Sequence, residues 1–126
     1  MPLADPLPVG SFAGQHVLAE LTGVDPALLD DEPRLRDTLV AALEQAGATV
    51  LEVSSRQFDP QGVTVIALLS ESHASLHTYP ECGSAFVDVF TCGQRAEPEL
   101  AVRLLAAALH APDVHTRTVH RGKELS

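Results

Sequence analysis

Residues 70–93 concentrate side chains that can act as a nucleophile, a base and a thiol. The segment SESHASLHTYPECGSAFVDVFTCG holds two histidines, two glutamates and two cysteines, together with several serines, and stretches typical of β-strands lie on both sides of it. Alternation along a strand places His73, Ser75 and His77 on one face and Leu76 on the other. The residues predict a reactive polar cluster near the centre of a sheet, but they do not name a reaction.

A metal site is one alternative for the same side chains. A zinc set of His73, His77, Cys82 and Cys92 is conceivable, but no CxxC pair or closely spaced histidine pair anchors it. On an extended strand His73 and His77 would lie about 13 Å apart, at about 3.3 Å per residue, which is too far for a single ion. We therefore predict no metal site. Two cysteines are also too few for a disulfide framework.

Three motifs in this segment resemble the signature of the S-adenosylmethionine decarboxylases of bacteria and archaea. They are ESH at 71–73, HTYPE at 77–81 and DVFTCG at 88–93. The motifs agree with that family in order and in distance, with five residues from Ser72 to His77 and 20 from Ser72 to Cys92. Weaker similarity extends over residues 11 to 122, which is most of the chain.

The resemblance implies a proenzyme that cuts itself between Glu71 and Ser72. In that family the serine hydroxyl attacks the carbonyl carbon of the preceding glutamate, and elimination leaves a dehydroalanine that hydrolyses to a pyruvoyl group. The single domain 1–126 would then become a beta chain, 1–71, and an alpha chain, 72–126. The implied cofactor is a covalently bound pyruvoyl group derived from Ser72.

The resemblance also assigns the residues that assist processing. It makes His77 the proton acceptor and places Thr64 where a hydroxyl donates to the developing oxyanion. Some relatives have serine at the position of Thr64, so the hydroxyl is kept and a methyl group is added. Glu71 contributes the carbonyl that is attacked.

The implied reaction converts S-adenosylmethionine to S-adenosylmethioninamine, the aminopropyl donor for spermidine synthesis. The pyruvoyl ketone would form a Schiff base with the substrate amine and accept the electrons that CO₂ leaves behind. By resemblance Cys92 is the proton donor to the resulting carbanion. Phe58 would stack on the adenine, Glu81 would hold the ribose hydroxyls, and Tyr79 would lie near the substrate.

Two other functions stay open at this point. The same pyruvoyl chemistry could act on L-arginine or L-ornithine, since it needs only an α-amino acid. An unprocessed relative could instead serve as a regulatory subunit. Loss of Ser72, His77 or Cys92 would indicate such a relative, and none of the three is lost.

Strand patterns surround the motif segment. They occur at 16–21, 49–53, 63–69, 73–78, 85–90 and 114–119. The run 63–69, VTVIALL, is apolar over nearly its whole length, so we expect it to be buried on both faces.

Two segments predict helices. From Leu35 to Ala46 apolar residues recur at helical spacing, with Asp31 placed to cap the start and Gly47 to end it. Pro98 opens the second helix. Its expected apolar stripe consists of Ala101, Leu104, Leu105 and Ala108.

The order of these elements predicts an α+β fold. We expect a two-layer α/β sandwich in which an antiparallel sheet carries both helices on one face. The other face needs a cover, and a second copy would supply it in a four-layer αββα dimer. The resemblance implies that the working unit is a homodimer of cleaved protomers or a larger assembly. The first ten residues hold three prolines, which predicts a flexible lead-in.

Composition narrows the class of partner. The chain has eight Lys plus Arg against 17 Asp plus Glu, a net charge of −9, so it lacks the basic face that nucleic acid binding needs. No apolar run approaches the roughly 20 residues of a membrane span. The start, MPLADPLPVG, has neither a basic region nor an apolar region of a signal peptide. These features predict a cytoplasmic protein that binds neither nucleic acid nor a membrane, whereas the small-molecule substrate is implied by the resemblance.

Overall fold

A single antiparallel sheet of six strands forms the framework of the computed structural model, which describes residues 13–70, 72–93 and 95–122. The strands are β1 (Ala13–Thr22), β2 (Val50–Gln57), β3 (Val63–Leu69), β4 (Ser72–Tyr79), β5 (Ser84–Cys92) and β6 (Asp113–Gly122). Their order in the sheet is β2-β3-β4-β5-β1-β6, and every neighbouring pair is antiparallel. The predicted strands and the predicted α+β class are confirmed.

Helices cover one face of this sheet. They are α1 (Pro26–Leu29), α2 (Glu32–Gln45) and α3 (Pro98–Ala108). The predicted cap of α2 is confirmed, since an Asp31 carboxylate oxygen accepts from the Arg34 N–H at 3.3 Å. Gly47 follows α2 with φ at 94°, a conformation that favours glycine. None of the described helices has the length and apolar character needed to cross a bilayer.

The short helix α1 was not predicted, because Gly23 to Asp31 is rich in turn residues. It forms because an Asp25 carboxylate oxygen accepts from the Ala27 N–H at 3.0 Å and Pro26 opens the helix. The predicted stripe on α3 was right only in part. Its buried residues are Pro98, Ala101, Val102, Leu105 and Ala106. Leu104 is half-buried and Ala108 is exposed, because the face of α3 that packs on the core is turned from the predicted stripe toward Val102 and Ala106.

The core lies between the helices and the inner face of the sheet. Large side chains that are fully buried there include Leu21, Leu35, Leu39, Leu43, Leu69, Leu76 and Leu105. A buried polar residue, Thr78, joins the layers: its hydroxyl donates to the Leu29 carbonyl at 2.6 Å and accepts from the Val63 N–H at 2.9 Å. Within the described residues, every buried side-chain nitrogen and oxygen has a hydrogen-bond partner.

The outer face of the sheet is open in a single chain, and no described helix lies over it. Leu18, Ile66, Leu68 and Phe86 point outward and are 40%, 49%, 50% and 47% exposed. The expectation that 63–69 is buried on both faces is wrong for the single chain. The strand alternates instead, with Val65 and Ala67 inside and Ile66 and Leu68 outside.

The position of Ser72 divides the sheet into two interleaved parts. Strands β1, β2 and β3 precede Ser72 in the chain. Strand β4 begins with Ser72, and β5 and β6 follow it. β1 nevertheless lies between β5 and β6, and β3 pairs with β4. A cut before Ser72 would leave the two parts joined along three antiparallel ladders.

Candidate active site

Ser72 and Cys92 lie at the same end of the sheet. Ser72 is the first residue of β4 and Cys92 is the last residue of β5. The register pairs His73 with Phe90, which puts Cys92 one residue beyond the position opposite Ser72. Both are half-buried. The structure thus brings the predicted pyruvoyl precursor close to the predicted proton donor. Glu71, on the other side of the expected cut, lies outside the described residues.

The other predicted residues gather at the opposite end of the same strands. Thr64 and His77 are register partners, and the Thr64 hydroxyl forms a 3.0 Å hydrogen bond with His77 Nδ1. Both line a depression of about 330 Å³ that Phe58, Tyr79 and Glu81 also border. The residues expected to assist processing therefore share a pocket with those expected to bind substrate.

One chain keeps these two groups apart. Ser72 and His77 belong to a single extended strand and are five residues apart. At about 3.3 Å per residue their Cα atoms are about 16 Å apart. A general base has to come within about 3 Å of the proton that it takes. His77 therefore cannot serve the Ser72 of its own chain in this conformation.

A third polar group occupies the open face between the two ends. His16 Nε2 donates to Asp88 Oδ2 at 2.7 Å, and His73 Nε2 lies 3.4 Å from the same oxygen. The Ser75 hydroxyl donates to Asp88 Oδ1. Asp88 thus joins side chains from β1 and β4. Sequence reasoning missed this network, because His16 and Asp88 are 72 residues apart and only the β1–β5 pairing brings them together.

Aromatic and cationic side chains enclose this network. The Phe90 ring lies 5.4 Å from the His16 ring and 5.7 Å from the His73 ring, centroid to centroid. The Arg121 guanidinium stacks over Phe90 at 4.5 Å and places Nη1 3.3 Å from His16 Nδ1. Gly14 makes room, since a Cβ there would lie 2.9 Å from the Phe90 ring.

The contact with Arg121 determines which nitrogen of His16 carries a proton. A guanidinium only donates, so His16 Nδ1 accepts and Nε2 carries the hydrogen that Asp88 receives. Burial raises the pKa of Asp88, but hydrogen bonds from Ser75 and His16 and the electrostatic attraction of the His73 and His16 rings outweigh it and bring the pKa below its usual range. Asp88 is an anion at neutral pH.

Among the described residues, this network is the one group of histidine, cysteine and carboxylate side chains that lie close enough together to hold a metal ion. The donor atoms of His16, His73 and Asp88 lie within 4.8 Å of one another. A metal on His16 would displace the Nε2 proton that the Arg121 contact favours, so the geometry favours hydrogen bonds. The zinc set considered from the sequence does not assemble, because His77 and Cys92 lie at opposite ends of the sheet.

Comparison with known proteins shows similarity over nearly the whole chain. A family model described as S-adenosylmethionine decarboxylase matches residues 15–122. A relative from Bacillus anthracis, named S-adenosylmethionine decarboxylase proenzyme 2, is 47% identical over 112 residues, which cover 89% of this chain and 91% of that one. The S-adenosylmethionine decarboxylase proenzyme of Parasynechococcus marenigrum is 50% identical over 110 residues, covering 87% and 86%.

A solved structure shows the same fold. The crystal structure of the adenosylmethionine decarboxylase from Aquifex aeolicus VF5 superimposes with a TM-score of 0.83 at 34% identity. The match covers 90% of this chain and 94% of that chain.

Proposed function

The chain belongs to the S-adenosylmethionine decarboxylase family, and we propose that it is a self-processing proenzyme that decarboxylates S-adenosylmethionine with a pyruvoyl group made from Ser72. The observation that carries the proposal is the pocket in which the Thr64–His77 pair meets Phe58, Tyr79 and Glu81. The product, S-adenosylmethioninamine, is the aminopropyl donor for spermidine.

The residues present fit the formation of that group. Ser72 is the first residue of β4 and follows a connection of two residues after β3. Its hydroxyl is therefore next in the chain to the Glu71 carbonyl that it attacks. Attack converts the Glu71–Ser72 amide to an ester, and loss of the Ser72 Cα proton then breaks the Cβ–Oγ bond, which leaves Glu71 with a free carboxylate and position 72 as dehydroalanine. Water would hydrolyse the dehydroalanine to the pyruvoyl ketone and ammonia. The Thr64 hydroxyl supplies a donor for the oxyanion, and His77 supplies the base.

The same residues divide the work of decarboxylation. The pyruvoyl group supplies a ketone for the substrate amine and a sink for the electrons that CO₂ leaves behind. Cys92, at the end of β5 close to position 72, holds the proton for the carbon that loses CO₂. Phe58 offers a ring to the adenine and Glu81 a carboxylate to the ribose hydroxyls, at the rim of the pocket with His77.

The working unit in this proposal is a homodimer whose active sites each combine two chains. Ser72 is about 16 Å from His77 along its own strand, so a second chain has to bring that base. The open face supplies the contact, since outward-pointing Leu18, Ile66, Leu68 and Phe86 stay about half exposed in one chain. A twofold axis across this face would set the Ser72 end of one sheet over the His77 end of the other, twice per dimer.

Mixed dimers test the composite site. A Ser72→Ala chain and a His77→Ala chain, each inactive in processing alone, are co-expressed with different tags. Random pairing joins about half of the His77→Ala chains to a Ser72→Ala partner, and these should be cut because they receive an intact His77. Intact mass under denaturing conditions identifies which chain is cut. If tagged mixed dimers form and neither chain is cut, the site lies within one chain.

Intact mass and a substrate panel test the proposed function itself. Under denaturing conditions we expect fragments 1–71 and 72–126, the second blocked by pyruvate. Under native conditions they should stay together, because β1 lies between β5 and β6. Release of CO₂ should be at least about 10²-fold faster, in kcat/KM, from S-adenosylmethionine than from L-arginine or L-ornithine, which have no adenosyl group for Phe58 and Glu81. An uncut chain would contradict the proposal that the protein is a self-processing proenzyme. Turnover of arginine without turnover of S-adenosylmethionine would contradict the proposed substrate.

A further inference from the structure

We propose that Asp88 is a positioning residue: through His73 it anchors the chain end that processing creates, and so orients the group at position 72 toward Cys92. The inference rests on the proposed function, because that chain end exists only after cleavage before Ser72. It gives a role to a network that neither forms the substrate pocket nor contains the processing pair.

Cleavage creates the need for an anchor. In the uncut chain Ser72 and His73 are both half-buried, and the alternation of buried and half-buried residues begins only at Ala74, so the strand pattern does not fix the face that position 72 presents. Cys92 lies on the open face, in phase with Asp88 and Phe90. Once the Glu71–Ser72 bond is cut, position 72 keeps one covalent link, its amide to His73. Because that amide is planar, the terminal group turns instead about the bond between its ketone carbon and its amide carbon. What holds His73 fixes the amide from which the group turns, and so limits the face that the group presents.

The contacts of His73 show what holds it. Its imidazole is 45% exposed, and an exposed side chain at a chain end would normally sample several rotamers. Here Nε2 lies 3.4 Å from Asp88 Oδ2, and the ring lies edge-on to His16 at 5.8 Å and beside Phe90 at 5.7 Å. Of these three contacts, the one with Asp88 is the contact with an anion.

Asp88 is itself fixed before cleavage occurs. Its Oδ2 accepts from His16 on β1, its Oδ1 accepts from Ser75 on β4, and its carboxylate is only 21% exposed. It lies opposite Ser75, three residues along β4 from position 72, or about 10 Å at 3.3 Å per residue. Asp88 therefore does not touch the reacting atoms, and its effect has to pass through His73.

The test compares Asp88→Asn with the wild-type protein, and Glu52→Gln serves as the control because it removes an exposed carboxylate of the edge strand β2. We expect Asp88→Asn to be cut into the same fragments, with KM within about twofold and kcat at least about tenfold lower. Hydrogen exchange supplies a readout that is independent of activity. Amides at 73–75 should exchange at least about tenfold faster in the cut Asp88→Asn protein. In an uncut Ser72→Ala background, Asp88→Asn should leave that exchange nearly unchanged.

A second variant shows whether Asp88 acts through His73. His73→Gln should be cut and should lose kcat by a similar factor, and adding Asp88→Asn to it should lower kcat by no more than about twofold further. Additive losses would overturn the inference, as would unchanged exchange at 73–75 in the cut Asp88→Asn protein. If Asp88→Asn fails to fold, the cut His73→Gln protein decides alone. A wild-type kcat in that protein would overturn the inference, and a lowered kcat with faster exchange at 73–75 would support it. An uncut wild-type chain would instead overturn the proposed function, and the anchor with it.

Discussion

Replacing Ser72 with alanine should leave one uncut chain of 13.4 kDa and reduce decarboxylation by about 10³-fold or more. The methyl side chain cannot attack the preceding carbonyl, so neither the ester nor the pyruvoyl group can form. Removing this hydroxyl takes away both the cut and the electron sink, which is why we expect the largest effect here. Intact mass under denaturing conditions and CO₂ release from S-adenosylmethionine measure the two consequences separately.

Ser84→Ala is the matched control for this prediction. Ser84 is the first residue of β5, as Ser72 is of β4, and it is also half-buried. Its hydroxyl donates to the Cys82 carbonyl, so its removal costs only one local hydrogen bond. We expect normal cleavage and nearly normal turnover from this variant. A Ser72→Ala protein that still yields two fragments would place the cut, and the cofactor, elsewhere in the chain.

Replacing Cys92 with alanine should separate processing from catalysis. The variant should still be cut, since Ser72, Thr64 and His77 are intact, although the cut can be slower. Its kcat should fall by about 10²- to 10⁴-fold, the usual contribution of a well-placed acid, because the substrate carbon loses its proton donor. KM should change by no more than about twofold if Cys92 acts only after the substrate is bound. Steady-state kinetics on the cut protein measures both constants.

Cys82→Ala controls for loss of a thiol. Cys82 is exposed on the 3₁₀ turn Pro80–Cys82, whereas Cys92 is half-buried at the end of β5. We expect full cleavage and full activity from Cys82→Ala. Full activity from Cys92→Ala would disprove its assignment as the acid. An uncut Cys92→Ala chain would move the role of this thiol from decarboxylation to processing.

Much of the fold could be predicted from local patterns. Asp31 and Gly47 marked the ends of α2, because capping and a positive φ depend on residues next to one another in the sequence. The run 63–69 was assigned correctly as a strand, but the burial of its two faces was not. A continuous apolar run is typical of a strand covered on both sides, and the sequence does not show which cover comes from the same chain.

The candidate site could likewise be predicted only in part. The pairing of Thr64 with His77 follows from the β3–β4 hairpin, in which Leu69 and Ser72 are register partners across two connecting residues. The network around Asp88 could not be predicted, because it needs β1 beside β5. Histidines on a strand have many explanations, and only the register of distant strands shows that His16 meets Asp88.

The sequence by itself determined the family to which this protein belongs: a serine after a glutamate, a histidine five residues on and a cysteine 20 residues on, in an order and spacing that resemble the S-adenosylmethionine decarboxylases. Tertiary structure alone decided where those groups lie. It put Ser72 and Cys92 at one end of the sheet and His77 with its pocket at the other, left one face open, and joined His16, His73 and Ser75 through Asp88. The physical reason is that motif spacing is fixed by covalent connectivity, whereas strand order and register depend on non-local pairing and on the burial of one face.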